Sequence, residues 1–245
     1  MARVVLVHGA FGTPQELAPV EPFLADAGHE VVIVDLPCTD PDADLGDYAD
    51  AVIAELGPPE RDRETLVVGH SFGGATIGLV RDRRPDVALA YVAAVVPEPG
   101  QSLLELFFGS DPFDDPDVED PWQGFEGLIV DASPGLCRLD FDVMAAAAPE
   151  DERDEFRATL EVTQREQGIA AMREGWPGAS VPTGRVGYVV ATRDTMVEPD
   201  MQRSMAAAVG ASVHEIATDH EVFLEAPEEL GAHLAELAAA LSSRE

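Results

Sequence analysis

The sequence contains no lysine: all 15 of its basic residues are arginine, against 47 aspartates and glutamates, and the net charge is −32. A surface this negative repels the phosphates of nucleic acid and the anionic headgroups of membranes, which are bound through clusters of basic side chains. We therefore expect no nucleic-acid partner and no membrane partner, and we interpret the acidic excess as a solubilising surface.

Long apolar runs and cysteines are also scarce. No run approaches the roughly 20 apolar residues that span a bilayer, and the N-terminus lacks the longer apolar stretch of a signal peptide, so we expect a cytoplasmic protein. Cys38 and Cys137 form no CxxC or Cys/His spacing, which predicts buried thiols rather than a disulfide or a metal site. No histidines pair as HxxxH or HExxH, and we therefore expect no metal.

Apolar strand-like runs instead alternate with amphipathic segments. The predicted strands are 3–7, 29–36, 65–68, 87–96, 187–191 and 213–216, and the predicted helices are 14–27, 47–56, 72–82, 199–209 and 227–241. Continuous apolar strands must be covered on both faces, as in parallel sheets. The pattern therefore predicts an α/β fold whose sheet is mostly parallel, with helices on both faces.

The alternation stops at Pro97 and resumes after about Pro182. The stretch between them is rich in proline and contains the acidic run Asp111–Asp120, interpreted as a solvated linker rather than a calcium loop. Two amphipathic segments follow, at about 142–148 and 150–166. We predict a single domain over 1–245, with a core of 1–97 and 183–245 and an inserted, mainly helical cap at about 98–182.

One serine lies where a strand gives way to a helix, in Gly69-His-Ser-Phe-Gly73. In a GxSxG turn of this kind the serine backbone is strained and side chains at the glycine positions would collide with neighbouring turns. The following helix directs its free N–H groups at the serine. We therefore predict that Ser71 is a nucleophile.

A serine hydroxyl needs a base to take its proton. His220 follows a predicted strand in a short polar loop, at the sheet edge where ligands collect, and we assign it as the base. The rivals are His214, within a strand, and His233, within a helix. We expect His70 to point away from the site and His8 to brace the first loop.

The acid that orients the base should also leave the end of a strand. Asp194 does so directly after an apolar run, whereas the alternative, Asp219, is adjacent to His220, and adjacent residues rarely face one another across a hydrogen bond. We assign Asp194, which would hold the tautomer of the imidazole.

An oxyanion needs two N–H donors. One should be Phe72, next to the nucleophile, and the other should come from the loop 8–12, where we favour Ala10 over Phe11. This loop lacks the GxGxxG pattern of dinucleotide-binding proteins, so no cofactor is expected.

Four stretches together resemble the α/β-hydrolase superfamily, most of all the plant methylesterases, the hydroxynitrile lyases and their bacterial relatives. These stretches are Val5-Leu-Val-His-Gly-Ala10, Gly69-His-Ser-Phe-Gly-Gly74, Ala191-Thr-Arg-Asp194 and Asp219-His220. The resemblance implies the α/β-hydrolase fold with an inserted cap and cofactor-free chemistry by Ser71, His220 and Asp194. It covers the core well and the cap only loosely.

The same family contains ester hydrolysis and cyanohydrin cleavage. In the lyases the first loop typically reads histidine-threonine and a lysine follows the catalytic histidine, whereas this chain has Gly9 and Glu221 at those positions. Glu221 also departs from the apolar residue common in the esterases, which bears on the shape of the acyl pocket.

We therefore predict a serine hydrolase that cleaves a small-molecule carboxylic ester through an acyl-enzyme. Substrate contacts are expected from Gly9, Phe11, Glu221, Trp122 and Trp176, with core packing as the alternative for the two tryptophans. A biosynthetic cyclase, a thioesterase-like or C–C bond-cleaving enzyme, a hydroxynitrile lyase and a hydrolase-like receptor remain alternatives. The sequence leaves a homodimer open.

Overall fold

The computed structural model describes residues 1–59, 64–114, 117–118, 121–122 and 128–242. Its strands are β1 Arg3–Val7, β2 Glu30–Val34, β3 Thr65–His70, β4 Ala88–Val92, β5 Ile129–Ser133, β6 Leu136–Leu139, β7 Gln167–Gly168, β8 Val186–Ala191 and β9 Ser212–Ile216. Its helices are α1 Pro14–Leu17, α2 Glu21–Asp26, α3 Leu45–Leu56, α4 Gly73–Arg83, α5 Leu103–Phe108, α6 Phe141–Ala147, α7 Arg153–Thr163, α8 Ile169–Arg173, α9 Pro199–Ala208, α10 Val222–Glu225 and α11 Pro227–Ser242.

Six strands form the main sheet in the order β2-β1-β3-β4-β8-β9, and each neighbouring pair is parallel. Alternate residues of a strand point to opposite faces, and β1 shows this directly. Val5 and Val7 belong to the core under α3, α4 and α9, whereas Val4 and Leu6 belong to the core under α2, α10 and α11. The predicted parallel sheet with helices on both faces is confirmed.

Several predicted boundaries were wrong for local reasons. The helix expected at 14–27 is divided into α1, a 3₁₀ turn at Ala18–Val20 and α2, because Pro19 and Pro22 lack the N–H that a continuous helix needs. Strand β2 lies at the edge of the sheet, so its residues Val31–Ile33 are half-buried rather than covered on both faces.

The stretch between Pro97 and Pro182 contains more than helices. In addition to α5, α6, α7 and α8 it holds a three-stranded antiparallel sheet, β5-β6-β7, which the sequence analysis missed because these strands are only two to five residues long. The acidic run is anchored in part, since Arg173 binds Asp111 and Asp114. Residues 115–116 and 119–120 of that run lie outside the described residues.

The two cysteines, Cys38 and Cys137, are free and buried, as predicted. In the described ranges no three histidine, cysteine, aspartate or glutamate side chains are grouped so that they could hold a metal ion. None of the helices within those ranges is long and apolar enough to cross a membrane.

Candidate active site

Ser71 occupies the turn between β3 and α4 in a backbone conformation that residues other than glycine rarely adopt. Its φ is +51°, in the left-handed region, where a residue other than glycine is strained. Two backbone hydrogen bonds fix the turn from either side: Gly74 N–H and Val95 N–H both donate to Ser71 O, at 3.0 Å each. The turn has room only because Gly69 has no side chain, since a Cβ there would lie 2.7 Å from the carbonyl oxygen of Gly73.

The loop after β1 lies directly against the serine. A Cβ on Gly9 would come within 2.7 Å of the Ser71 Cβ and 3.2 Å of its hydroxyl oxygen. The absence of a side chain at this position therefore lets the loop backbone approach the Ser71 hydroxyl. This contact explains the histidine-glycine pair of the first loop.

Asp194 and His220 are brought together at the same edge of the sheet. Nδ1 of His220 lies 2.7 Å from Oδ2 of Asp194, and Asp194 is 3% exposed. Oδ1 of the same carboxylate accepts N–H groups from Met196 at 2.8 Å and Val197 at 3.0 Å. A carboxylate held in this way fixes the Nδ1–H tautomer of His220 and leaves Nε2 able to accept a proton.

Gln202, on α9, holds the acid in turn. Its amide nitrogen donates to Oδ2 of Asp194 at 2.8 Å and to Val197 O at 2.7 Å, and its carbonyl accepts from Ala191 N–H at 3.0 Å. Gln202 is fully buried. The sequence alone does not predict this role, since a glutamine inside a helix carries no local signal.

Ser71 and His220 form no hydrogen bond within the described ranges. The link between the two is His70, which precedes the serine and whose ring lies 4.9 Å from the His220 ring, centroid to centroid. Nε2 of His70 also lies 2.9 Å from the backbone oxygen of His220. The expectation that His70 points away from the site is therefore wrong: the end of β3 directs its ring under the loop that carries His220.

The N–H groups of Ala10 and Phe72 have no acceptor among the described residues. The N–H of Phe11, the alternative to Ala10, donates to Oε1 of Gln167 at 3.2 Å. Phe11 is buried with φ +62°, so this bond holds a strained residue in place. The first loop therefore leaves the Ala10 N–H free and engages the next one.

The chain around the end of α7 holds the first loop. Arg165 donates from Nε to Gly12 O at 3.0 Å and from Nη2 to Nε2 of His8 at 3.0 Å. His8 Nε2 also accepts from Leu36 N–H at 3.1 Å, and its Nδ1 lies 2.9 Å from Gly9 O. Burial lowers the pKa of His8, so this ring is a neutral brace, in agreement with the sequence-based expectation.

Two buried carboxyl groups lie close to His70 and His220. Glu16, on α1, is 2% exposed and its Oε1 is 2.5 Å from Nδ1 of His70. Burial lowers the pKa of His70, but the charge and hydrogen bond of Glu16, with smaller effects from Glu221 and the His220 carbonyl, raise it to about 9. Burial and the charge of Glu16 raise the pKa of Glu221 to about 7, although His70 and His220 act against this shift.

The two tryptophans are packed into the protein. Trp122 donates from its indole nitrogen to Asp131 at 3.1 Å, and Trp176 donates to Ala75 O at 2.9 Å against α4. Both are at most 4% exposed. These contacts favour the core-packing alternative, and their roles as substrate contacts stay a prediction.

The rival histidines lie together at another place. The His214 and His233 rings stack with centroids 4.1 Å apart, and His214 is 3.8 Å from Glu229. Their described neighbours do not include Ser71. A cavity of about 550 Å³ between α5 and α9, lined in part by Val96, Leu106 and Met201, also leaves out Ser71, Asp194 and His220.

Comparison with known proteins identifies the relatives of this arrangement. The sequence profile of the alpha/beta hydrolase family matches residues 4–232. Over 112 residues the chain is 31% identical to polyneuridine aldehyde esterase of Rauvolfia serpentina, covering 42% of each. Over 103 residues it is 31% identical to salicylic acid-binding protein 2 of Nicotiana tabacum, covering 38% of this chain and 40% of the relative. The chain thus spans about two-fifths of the length of these curated relatives.

Solved structures match over nearly the whole chain. A pyrethroid hydrolase from Sphingobium faniae superposes with a TM-score of 0.73 at 23% identity, covering 99% of both chains. Likeness at this level of identity concerns the fold. The fold class predicted from the sequence is confirmed, whereas the cap as a separate unit stays a prediction.

Proposed function

Because the chain belongs to the alpha/beta hydrolase family, we propose that it is a serine hydrolase that cleaves a small-molecule carboxylic ester through an acyl-enzyme. The observation that carries this proposal is the hydrogen bond of 2.7 Å between His220 and Asp194, at the edge of the sheet where the strained Ser71 lies. Two similar proteins, an esterase and a pyrethroid hydrolase, support ester cleavage as the reaction class.

The proposed steps follow from the roles of these side chains. His220 Nε2 takes the proton of the Ser71 hydroxyl as its oxygen attacks the ester carbonyl, and the developing oxyanion is bound by the free N–H groups of Ala10 and Phe72. His220 then donates the proton to the departing alkoxide, leaving an acyl-serine. Water, deprotonated by His220, releases the acid and restores Ser71. Asp194 stabilises the imidazolium that forms in each step.

The lack of a hydrogen bond between Ser71 and His220 among the described residues is compatible with this proposal. Hydrogen bonds between catalytic groups are often long before substrate binds, and they shorten in the complex. Gly9, packed on the serine, and the buried loop residue Phe11 are the proposed boundary of the site nearest the carbonyl. The substrate contacts of Glu221, Trp122 and Trp176 are part of the proposal to be tested.

Cyanohydrin cleavage is the less favoured alternative. It calls for a cation near the departing cyanide, and this chain has no lysine. The position after His220 is occupied by Glu221, whose carboxyl oxygen Oε2 is buried without a hydrogen-bond partner among the described residues. No observation favours a cyclase or a C–C bond-cleaving enzyme over ester hydrolysis.

A panel of p-nitrophenyl esters with acyl chains of increasing length, together with mandelonitrile, tests the proposal. We expect ester turnover by the native chain, its loss in Ser71→Ala, and no release of cyanide from mandelonitrile. Ser212→Ala, which changes an exposed serine on β9, is the matched control and should keep native turnover. Equal turnover by Ser71→Ala and the native chain would contradict the assignment of the nucleophile, and tight small-molecule binding without turnover would favour a receptor.

A further inference from the structure

Two ionisable side chains that the proposed mechanism leaves unused are buried under the His220 loop. Glu16 and His70 each have only 3% of the side chain exposed. Groups of this kind are rarely buried so fully unless they are paired, because burial removes their hydration. The burial of this pair next to the proposed base suggests that it has a role in the reaction.

Both ring nitrogens of His70 face groups that only accept hydrogen bonds. Nδ1 is 2.5 Å from the Glu16 carboxylate and Nε2 is 2.9 Å from the backbone oxygen of His220. A carboxylate and a carbonyl oxygen only accept hydrogen bonds, so both nitrogens carry a proton and the ring is an imidazolium when Glu16 is ionised. The ring lies 4.9 Å from the His220 ring and 5.4 Å from that of Phe223, so its orientation is fixed by packing as well.

The second oxygen of Glu16 reaches the other side of the site. A Cβ on Gly12 would lie 2.5 Å from Oε2 of Glu16, which places this oxygen against the loop that carries Ala10. One carboxylate thus contacts the loop of the proposed oxyanion donor and, through His70, the loop of the proposed base. Such a pair can hold the two loops in a fixed relation to one another.

We propose that Glu16 and His70 are positioning residues for the reaction: a buried carboxylate–imidazolium pair that fixes the backbone of His220 and places a positive charge beside its ring. This role rests on the proposed function. The hydrogen bond from His70 to the His220 carbonyl holds in place the base that accepts the proton of Ser71. The pair thus holds the backbone of His220, whereas Asp194 holds its ring through Nδ1.

Several other ionisable groups lie close to the Glu16–His70 pair and to His220. Glu221 and Asp219 belong to the loop of His220, and Asp194 is bonded to the His220 ring. On the far side of Glu16 lie the neutral His8 and, beyond it, Arg165. None of these groups replaces the hydrogen bond from His70 to the His220 carbonyl, so the geometric part of the role belongs to the pair alone.

Glu16→Gln separates charge from geometry. The glutamine has the size of the native side chain and can donate from its amide to Nδ1 of a neutral His70, whose Nε2–H still reaches the His220 carbonyl. The double variant Glu16→Leu/His70→Phe removes the hydrogen bond as well, and it leaves no buried charge unpaired. Glu21→Gln, at an exposed position at the start of α2, is the matched control.

Two measurements on the full chain test the role. The first is ¹⁵N–¹H correlation of the histidine rings, which should show two ring protons on His70 near neutral pH in the native chain and one in Glu16→Gln. The second is steady-state kinetics with a p-nitrophenyl ester, which separates kcat from KM. Glu16→Gln keeps the hydrogen bond from His70 to the His220 carbonyl, so its kcat should fall by less than about tenfold, with KM within about twofold of native.

The double variant should lower kcat by about 10- to 100-fold, as expected when a reacting group is misplaced, and Glu21→Gln should match the native chain. A single ring proton on His70 in the native chain, or a folded double variant with native kcat, would overturn the positioning role while ester turnover stands. A native chain that reacts with neither probe would instead overturn the proposed function, and the positioning role with it.

Discussion

Nδ1 of His220 and Oδ2 of Asp194 lie 2.7 Å apart, although one residue follows β9 and the other follows β8. These strands are neighbours and run parallel, so their carboxyl ends reach the same edge of the sheet. The topology therefore places Asp194 next to His220, although the two residues are distant in sequence. The same rule brings Ser71 to this edge from the end of β3.

Asp194→Asn tests whether the acid fixes the tautomer of His220. The asparagine keeps the shape but can present an N–H to Nδ1, which favours the wrong tautomer for accepting the serine proton. We expect kcat for an ester to fall by about 10⁴ with little change in KM. Steady-state kinetics of this variant and of Asp200→Asn, an exposed carboxylate on α9, provide the check; a loss of less than tenfold in Asp194→Asn would contradict the assignment.

Gln202→Leu removes the amide that holds the acid. The buried N–H of Ala191 and carbonyl of Val197 lose their partner, so we expect the free energy of unfolding to fall by about 1–3 kcal/mol. Loosening of Asp194 should also lower kcat, by about 10- to 100-fold. Urea unfolding and kinetics measured on the same preparation test both effects, and a stable variant with native kcat would show that the acid needs no such support.

Gly9→Ala tests the close approach of the first loop to the nucleophile. The added Cβ would lie 2.7 Å from that of Ser71, closer than such atoms approach, so the loop and its Ala10 N–H must move away from the carbonyl. A shift of about 1 Å at a reacting centre costs on the order of 10²-fold in kcat/KM. The measurement is kcat/KM together with the melting temperature; unchanged kcat/KM would mean that this loop does not bind the oxyanion.

Glu221→Gln should change how stability depends on pH. Burial and the charge of Glu16 raise the pKa of the Glu221 carboxyl from 4.5 to about 7, so between these values the unfolded chain releases a proton that the folded chain retains. Stability is then lost as pH rises through this window. The glutamine does not titrate, so relative to native the variant should gain on the order of 1–3 kcal/mol between about pH 4.5 and pH 8.

Urea unfolding of the native chain and of the Glu221→Gln variant at several pH values measures this difference in the free energy of unfolding. Glu229→Gln is a suitable comparison, because Glu229 is an exposed residue of α11 that lies apart from Glu16, His70 and Glu221. Parallel stability curves for native chain and Glu221→Gln would show that Glu221 titrates in the fold as it does in the unfolded chain.

Most of the sheet could be predicted because its strands are short apolar runs bounded by clear signals. Gly9 ends β1, Gly69 precedes the serine turn, and Asp194 marks the exit of β8. Predictions failed where partners distant in sequence decide the structure. The strands β5 and β6 form a hairpin around Gly135, and β7 adds only two residues through pairing with β6, so neither the length nor the pattern of β7 predicts a strand.

The three proposed catalytic residues share a signal that the other residues of the candidate site lack. Ser71, His220 and Asp194 each follow a strand, and that position alone indicates a functional edge. Glu16 lies within an ordinary helical turn, and His70 is the last residue of a buried strand, whose ring direction depends on the packing of the His220 loop. Such long-range contacts between polar side chains are decided only in the folded chain.

Covalent labelling with a fluorophosphonate reports whether Ser71 is an activated nucleophile. Intact mass spectrometry should show one adduct per chain, and peptide mapping should place it on Ser71. Ser71→Ala should not be labelled, and Asp194→Asn should be labelled far more slowly than the native chain. A native chain that stays unlabelled, or an adduct on another serine that persists in Ser71→Ala, would contradict the account.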